Sequence, residues 1–302
     1  MKVTAQPFVG SAIIEKSSRL SVFSDLVKAR LTFLVLLTTL VGFYVGSAGP
    51  LELPLMFATL IGTALLACGA AALNQLAEKE YDAKMRRTET RPLPSGKLQP
   101  ESVLLFGAGC SIAGLIYLAA AVNLLTSFLG ALTLVSYLFV YTPLKRKTWL
   151  NTAVGAIPGA LPPLMGWTAA RNEVDAGGWS LFAILFFWQI PHFLAIAWMY
   201  REDYAQAGFV MLPVVDPEGF RTGRQAVSHT FGVIFMSLLP VLLGLAGIVY
   251  FSGALLLGGF FLVCAFQFAH SLTLARARRL FLASIIYLPF LLLLMVLDKI
   301  KH

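Results

Sequence analysis

The stretch Asn74–Gly96 reads NQLAEKEYDAKMRRTETRPLPSG, and it closes a long apolar run. It carries four carboxylates and five cationic side chains. Asn74, Glu78 and Asp82 recur every four residues, a spacing that stacks them on one face of a helix. Arg86, Arg87 and Arg91 follow, and Pro92 and Pro94 then oppose further helix. A carboxylate ladder beside a basic cluster, at the mouth of an apolar helix, points to a metal-bridged anion.

The composition says where such a ladder sits. The 302 residues are 58% hydrophobic and only 13% charged, with a mean hydropathy of +0.79. Soluble domains carry about a quarter charged residues, so this chain belongs in a bilayer. The net charge of +8 then reflects Lys and Arg gathered on the cytoplasmic side, and nucleic acid is not an expected partner. Cys68, Cys110 and Cys264 lie inside apolar segments with no metal or disulfide spacing and read as small core residues.

Apolar runs long enough for about 30 Å of hydrocarbon fall near 31–48, 54–76, 102–121, 123–141, 151–170, 179–199, 226–250, 253–273 and 280–297. The expected fold is all-α and integral to the membrane. Nine transmembrane helices form a single domain over 31–298, behind a cytoplasmic segment at 1–30. Tight hairpins are expected at Val122–Asn123 and at Phe251–Gly253. With the N-terminus inside, 20 of the 23 Lys and Arg fall on the inner side, a strong positive-inside signal. The C-terminus is then outside and Asn74–Gly96 is cytoplasmic. Residues 1–30 mix acids with bases around no long apolar core, which fits neither a cleavable signal nor a transit peptide. A bacterial inner membrane is the expected location, a mitochondrial inner membrane the alternative.

Other segments add candidates. Lys145, Arg146 and Lys147 form a basic patch, either a topology anchor or an anion site. The run NTAVGAIPGALPPLMG, from Asn151, is rich in helix breakers and reads as a cavity wall, where irregular backbone is tolerated. In FFWQIPHFLAIAWMYREDY, residues 186–204, helical rotation brings Gln189, His192, Tyr200 and Asp203 toward one face. His192 is either a packing residue or a ligand, raised in interest by the acid below it. Gln267 and His270 share a face of the eighth run, for substrate contact or helix packing.

Two acidic clusters, Asn74/Glu78/Asp82 and Glu202/Asp203, thus stand on one membrane face. Mg²⁺ takes hard oxygen ligands and completes its shell with water and substrate phosphates. Arg87, Arg91 and Arg146 can balance the rest of a diphosphate's charge. An apolar space behind the site suits a hydrocarbon tail, and ionisation of an allylic diphosphate is the chemistry favoured.

The pattern N-Q-x-x-E-x-x-x-D-x-x-M-x-R-T-x-x-R-P-L-x-x-G resembles the first aspartate-rich motif of the UbiA superfamily of intramembrane prenyltransferases. WQIPHFLAIAWMYREDYAQAGFVMLPV, YTPLKRKTWLNTAVGAIPGALPPLMGW and LVKARLTFLVLLTTLVGFYVG narrow the likeness to its heme-farnesylating branch. The resemblance implies nine helices around a central cavity, with Mg²⁺ and farnesyl diphosphate at the cytoplasmic end and heme b as the acceptor, farnesylated on a vinyl group. It implies Asn74, Glu78, Asp82 and Asp203 as metal and catalytic residues, Tyr200 beside them, and Arg87 and Arg91 on the diphosphate. For heme, His192 is the axial-ligand candidate, Lys145 and Arg146 suit the propionates, and Gln189 lies nearby. Glu78 stands where many members have Asp, and Tyr200 and Tyr204 where many have Asp. A heme A synthase or terminal-oxidase assembly is the implied recipient of product. The alternatives are a UbiA-type enzyme with an aromatic or quinone-precursor acceptor, or an organic-anion transporter.

Overall fold

The computed structural model describes residues 18–300, so residues 1–17 of the expected N-terminal segment and residues 301–302 lie outside the described residues. The helices are α1 (Arg19–Leu26), α2 (Ala29–Gly46), α3 (Leu53–Asp82), α4 (Pro100–Ala121) and α5 (Leu124–Val135). A π-helical turn, Ser136–Tyr141, leads into α6 (Thr142–Leu144). Then come α7 (Asn151–Arg171), α8 (Ala176–Met199), α9 (Arg201–Gln206), α10 (Leu212–Val215), α11 (Phe220–Leu242), α12 (Ile248–Ser271) and α13 (Leu274–Leu297). β-type pairing is confined, among the described residues, to an isolated bridge between Ala246 and Lys299.

Each of the nine apolar runs has become a long helix, taking Leu124–Leu144 as one span. Eight are apolar and long enough to cross a membrane. The exception is α7, which carries Pro158, Pro162 and Pro163 and still runs unbroken through 21 residues. It packs against α2, α5 and α8, and residues from Asn151 to Ala169 along it are buried. Glycines among these breakers permit close packing against the neighbouring helices. The carbonyl of Thr39 lies 1.9 Å from where a Cβ on Gly166 would sit, and that of Pro163 lies 2.0 Å from a Cβ on Gly42. At Gly159 the notch is filled by the Gln189 amide.

One hairpin lies elsewhere than the sequence suggested. Helix α11 starts at Phe220 and is complete at Leu242, so its junction with α12 is 243–247 rather than Phe251–Gly253. Gly244 takes φ +70° there, a conformation glycine adopts without a Cβ clash. The first hairpin is where expected: Asn123 caps α5 through its Oδ1 to Thr126 N at 2.7 Å and donates to the Thr168 carbonyl at 2.9 Å. Gln267 and His270, in contrast, are exposed on α12 and away from the polar cluster described below.

Helix α3 has 30 residues, about 45 Å at 1.5 Å per residue. That exceeds a hydrocarbon core of about 30 Å, so the helix is longer than a single span requires. Asn74, Glu78 and Asp82 lie on its last turns, and all three are buried in protein.

Candidate active site

Each member of the ladder meets a cation from another part of the chain. Lys28 Nζ donates to Asn74 Oδ1 at 2.7 Å, Lys145 Nζ reaches Glu78 Oε1 at 2.7 Å, and Arg91 reaches Asp82 Oδ2 at 2.6 Å. The α3 spacing therefore sets three anchor points in a row, and three cations converge on them. Asn74 also donates to Thr142 Oγ1 at 3.1 Å, tying α3 to α6.

Lys28 sits between α1 and α2 with φ 49°, ψ 53°, a left-handed conformation that costs a non-glycine residue roughly 1–2 kcal/mol. The dipeptide Asn74–Gln75 holds it there: Asn74 takes the ammonium, while Gln75 Nε2 donates to the carbonyls of Asp25 at 2.8 Å and Leu26 at 2.9 Å. Facing a neutral amide rather than a carboxylate, the Lys28 ammonium is pushed down to about 7 by burial, with Arg91 adding to the effect. Lys145 is the opposite case. Burial alone would lower it, but Tyr141 and Glu78 outweigh burial and hold it above its ordinary value. Its Nζ lies 4.6 Å from the Tyr141 ring centroid, and its carbonyl accepts from Val210 N at 2.7 Å.

The Glu78–Lys145 pair is buried on both sides, at 7% and 15% side-chain exposure. Lys145→Met strands a buried carboxylate, and such losses cost about 3–5 kcal/mol. The single variant is expected to lower the Tm by several degrees in detergent. Glu78→Leu/Lys145→Met should regain most of that Tm yet stay inactive, and equal Tm for the single variant and wild type would refute the pair's structural role.

The second cluster reaches the first through arginines and rings. Arg87 donates to Tyr204 OH at 2.9 Å, and its guanidinium lies 5.0 Å from the Tyr200 ring and 5.5 Å from the Tyr204 ring. Arg146 hydrogen-bonds Tyr81 OH and stacks 4.7 Å above that ring. Beneath them Met85, Ala197, Ala207, Phe209 and Met211 form an apolar cluster with Tyr81 and Tyr204 at its edge. This cluster clamps the end of α3 to the α8–α9 corner.

Helix α8 ends at Met199, and Tyr200 turns the chain (φ −116°, ψ 25°) before α9. The continuous face expected for Gln189, His192, Tyr200 and Asp203 is therefore interrupted. Gln189 Nε2 donates to Leu185 O at 2.9 Å and lies 3.4 Å from Ala156 O, toward α7. His192 turns instead to Ser284 on α13. Asp203 lines a recess of about 230 Å³ with Trp198, Tyr200, Arg201, Glu202 and Leu272, and its carboxylate makes no hydrogen bond or ion pair among the described residues.

Among the described residues no three acidic, His or Cys side chains converge as a metal cluster. The donor set at the ladder nevertheless fits a hard cation. Asp82 Oδ1 is buried with no hydrogen-bond partner, although its carboxylate is ion-paired through Oδ2. An orphaned buried acceptor costs about 1–3 kcal/mol, and this one belongs to a hard anionic ligand of the type Mg²⁺ takes.

Residues 35–292 match the UbiA prenyltransferase family. The chain belongs to that family. It is 49% identical over 286 residues to a protein from Solibacter usitatus named protoheme IX farnesyltransferase, covering 92% of this chain and 98% of the relative. Its fold is that of solved UbiA-type structures. One is a digeranylgeranylglyceryl phosphate synthase, with a TM-score of 0.78 at 16% identity over 92% of this chain and 98% of that one. Another is a UbiA homolog from Archaeoglobus fulgidus bound to DMAPP and Mg²⁺, with a TM-score of 0.64 at 16% identity over 90% and 98%. This UbiA family member is a prenyltransferase and a multi-pass membrane protein. The spacing of the ladder is legible in the sequence, whereas the roles of Lys28, Gln75 and Thr142 emerge only from the fold. The local signals were slight: a lysine just before an apolar helix, and a glutamine next to the ladder's first residue.

Proposed function

We propose that the protein transfers a farnesyl group from farnesyl diphosphate to a vinyl group of heme b. The carrying observation is the ladder end, where Lys28, Arg91 and Lys145 meet Asn74, Asp82 and Glu78 and Asp82 keeps one oxygen free. The heme acceptor is supported by the names of relatives such as the Solibacter protein.

In this reading Asn74, Glu78 and Asp82 hold Mg²⁺, with Asp203 completing the site from the second cluster. The metal, when bound, supplies positive charge to the departing diphosphate. Lys28, Arg91 and Lys145, with Arg87 at the rim, bind the phosphates and leave their present partners to do so. The C1–O bond of the farnesyl group breaks and its electron pair leaves with diphosphate. A new bond joins C1 to the vinyl carbon, and addition of water with loss of a proton gives the hydroxyethylfarnesyl substituent. Burial of the ladder excludes bulk water, so these charges act at full strength on the leaving group. In our reading the ladder faces the cytoplasm of a bacterial inner membrane, with the N-terminus on the same side.

Purified protein incubated with heme b, farnesyl diphosphate and Mg²⁺ should yield the farnesylated heme by mass. Turnover of hydroxybenzoate or a naphthoate, with none of heme, would replace this acceptor with an aromatic one.

A further inference from the structure

Helices α8 and α13 meet at Ser284, which is fully buried. His192 Nδ1 lies 2.7 Å from Ser284 Oγ. The same Oγ donates to the Phe281 carbonyl at 2.6 Å, and Trp188 Nε1 donates to the Ser284 carbonyl at 2.8 Å. A serine hydroxyl has one proton, and a carbonyl can only accept. Both contacts are satisfied together only if Ser284 gives its proton to Phe281 O and accepts one from His192 Nδ1. That assignment fixes the imidazole as the Nδ1–H tautomer and leaves Nε2 with a bare lone pair. Nε2 makes no hydrogen bond among the described residues, and His192 is only partly buried. The ring orientation is set as well: Trp188 stacks on it at 5.0 Å and 23°, and Phe281 lies at 5.0 Å and 31°.

We propose that Ser284 is a positioning residue that presents His192 Nε2 as an axial ligand to the iron of the porphyrin acceptor. The proposal rests on the reading of that acceptor as heme b. An imidazole that binds metal through one nitrogen typically donates its other N–H to a fixed acceptor, which sets tautomer and orientation and raises its basicity. Ser284 supplies such an acceptor, itself locked by Phe281. Trp188 fixes the Ser284 backbone and one ring face of His192 at once, so three residues of two helices hold a single lone pair. His192 precedes Tyr200 by eight residues, about 12 Å along a helix, which puts the ligand in the apolar interior and away from the diphosphate.

The test uses the full-length protein in detergent, titrated with ferric heme b and followed by absorption and electron paramagnetic resonance. Wild type should show nitrogen ligation. His192→Ala should lose that signature, and added imidazole should restore it. Ser284→Ala keeps the histidine but frees its ring, so the resonance signature should shift and heme affinity should fall about ten- to hundredfold. Farnesyl diphosphate affinity should stay within about threefold of wild type, which reports a folded site at the ladder; Ser284→Cys, close in volume, serves if Ser284→Ala does not fold. An unchanged spectrum and heme affinity in His192→Ala overturns the ligation, and an unchanged spectrum in the Ser284 variant overturns its positioning role. Mass detection of farnesylated heme with wild type separates the two readings. Product with unchanged variants defeats this inference alone, whereas neither product nor heme binding defeats the acceptor assignment and this inference with it.

Discussion

Asp82→Asn is expected to lower kcat about a hundred- to thousandfold at saturating Mg²⁺, while the protein remains folded. Asp82 is 1% exposed, and its two carboxylate oxygens have different tasks. Oδ2 meets Arg91 at 2.6 Å, and Oδ1 has no partner. The backbone carbonyl accepts from Thr88 Oγ1 at 2.8 Å, so the turn after α3 keeps its shape when the side chain changes. Asparagine preserves volume and can still offer an oxygen to Arg91. What it removes is the negative charge, together with an anionic oxygen for a divalent ion. Arg91 retains 26% side-chain exposure, so water can take up part of its lost pairing and the stability cost stays modest. Turnover measured across a Mg²⁺ series, beside a thermal melt, separates the two effects. Activity within about threefold of wild type at ordinary Mg²⁺ would remove Asp82 from the metal site.

The contrast between Asp82 and Lys28 shows which parts of the site a sequence can carry. Asn74, Glu78 and Asp82 belong to one helix, and a spacing of four suffices to align them. Lys28 is separated from Asn74 by 46 residues, and nothing local records that α2 returns to that point. A strained backbone at Lys28 and a glutamine whose task is to hold two carbonyls are equally silent. Helical rotation also misled where the helix stopped. Gln189 and His192 share a helix but serve α7 and α13 respectively, and the turn at Tyr200 detaches Asp203 from both. The π-helical turn at Ser136–Tyr141 has the same character. It inserts an extra residue into the helical register immediately before Thr142 and Lys145, which then reach Asn74 and Glu78. The long apolar helices, by contrast, were legible because span length is a property of composition.

Gly166→Ala should be the most damaging single-methyl change in the bundle. The added Cβ would lie 1.9 Å from the Thr39 carbonyl oxygen and 2.7 Å from Phe43 N. Both are backbone atoms of α2, so no side-chain rotation relieves the contact. The helices must separate, and overpacking of this kind costs about 1–3 kcal/mol or more. A Cβ on Gly42 would likewise lie 2.0 Å from the Pro163 carbonyl oxygen, so α2 and α7 pack closely at both glycines. The consequence reaches the site, because α2 begins immediately after Lys28. A shift of α2 away from α7 draws Lys28 from Asn74, and the diphosphate loses one of its cations. Gly166→Ala is therefore expected to lower the Tm and to raise the KM for farnesyl diphosphate together. Gly109, inside α4, has nothing within 4 Å of the point a Cβ would occupy, and Gly109→Ala should stabilise by about 0.5–1 kcal/mol through helix propensity. If the two alanine variants melted alike, the close α2–α7 contact would carry no energetic weight, and the link from bundle packing to Lys28 would fall with it.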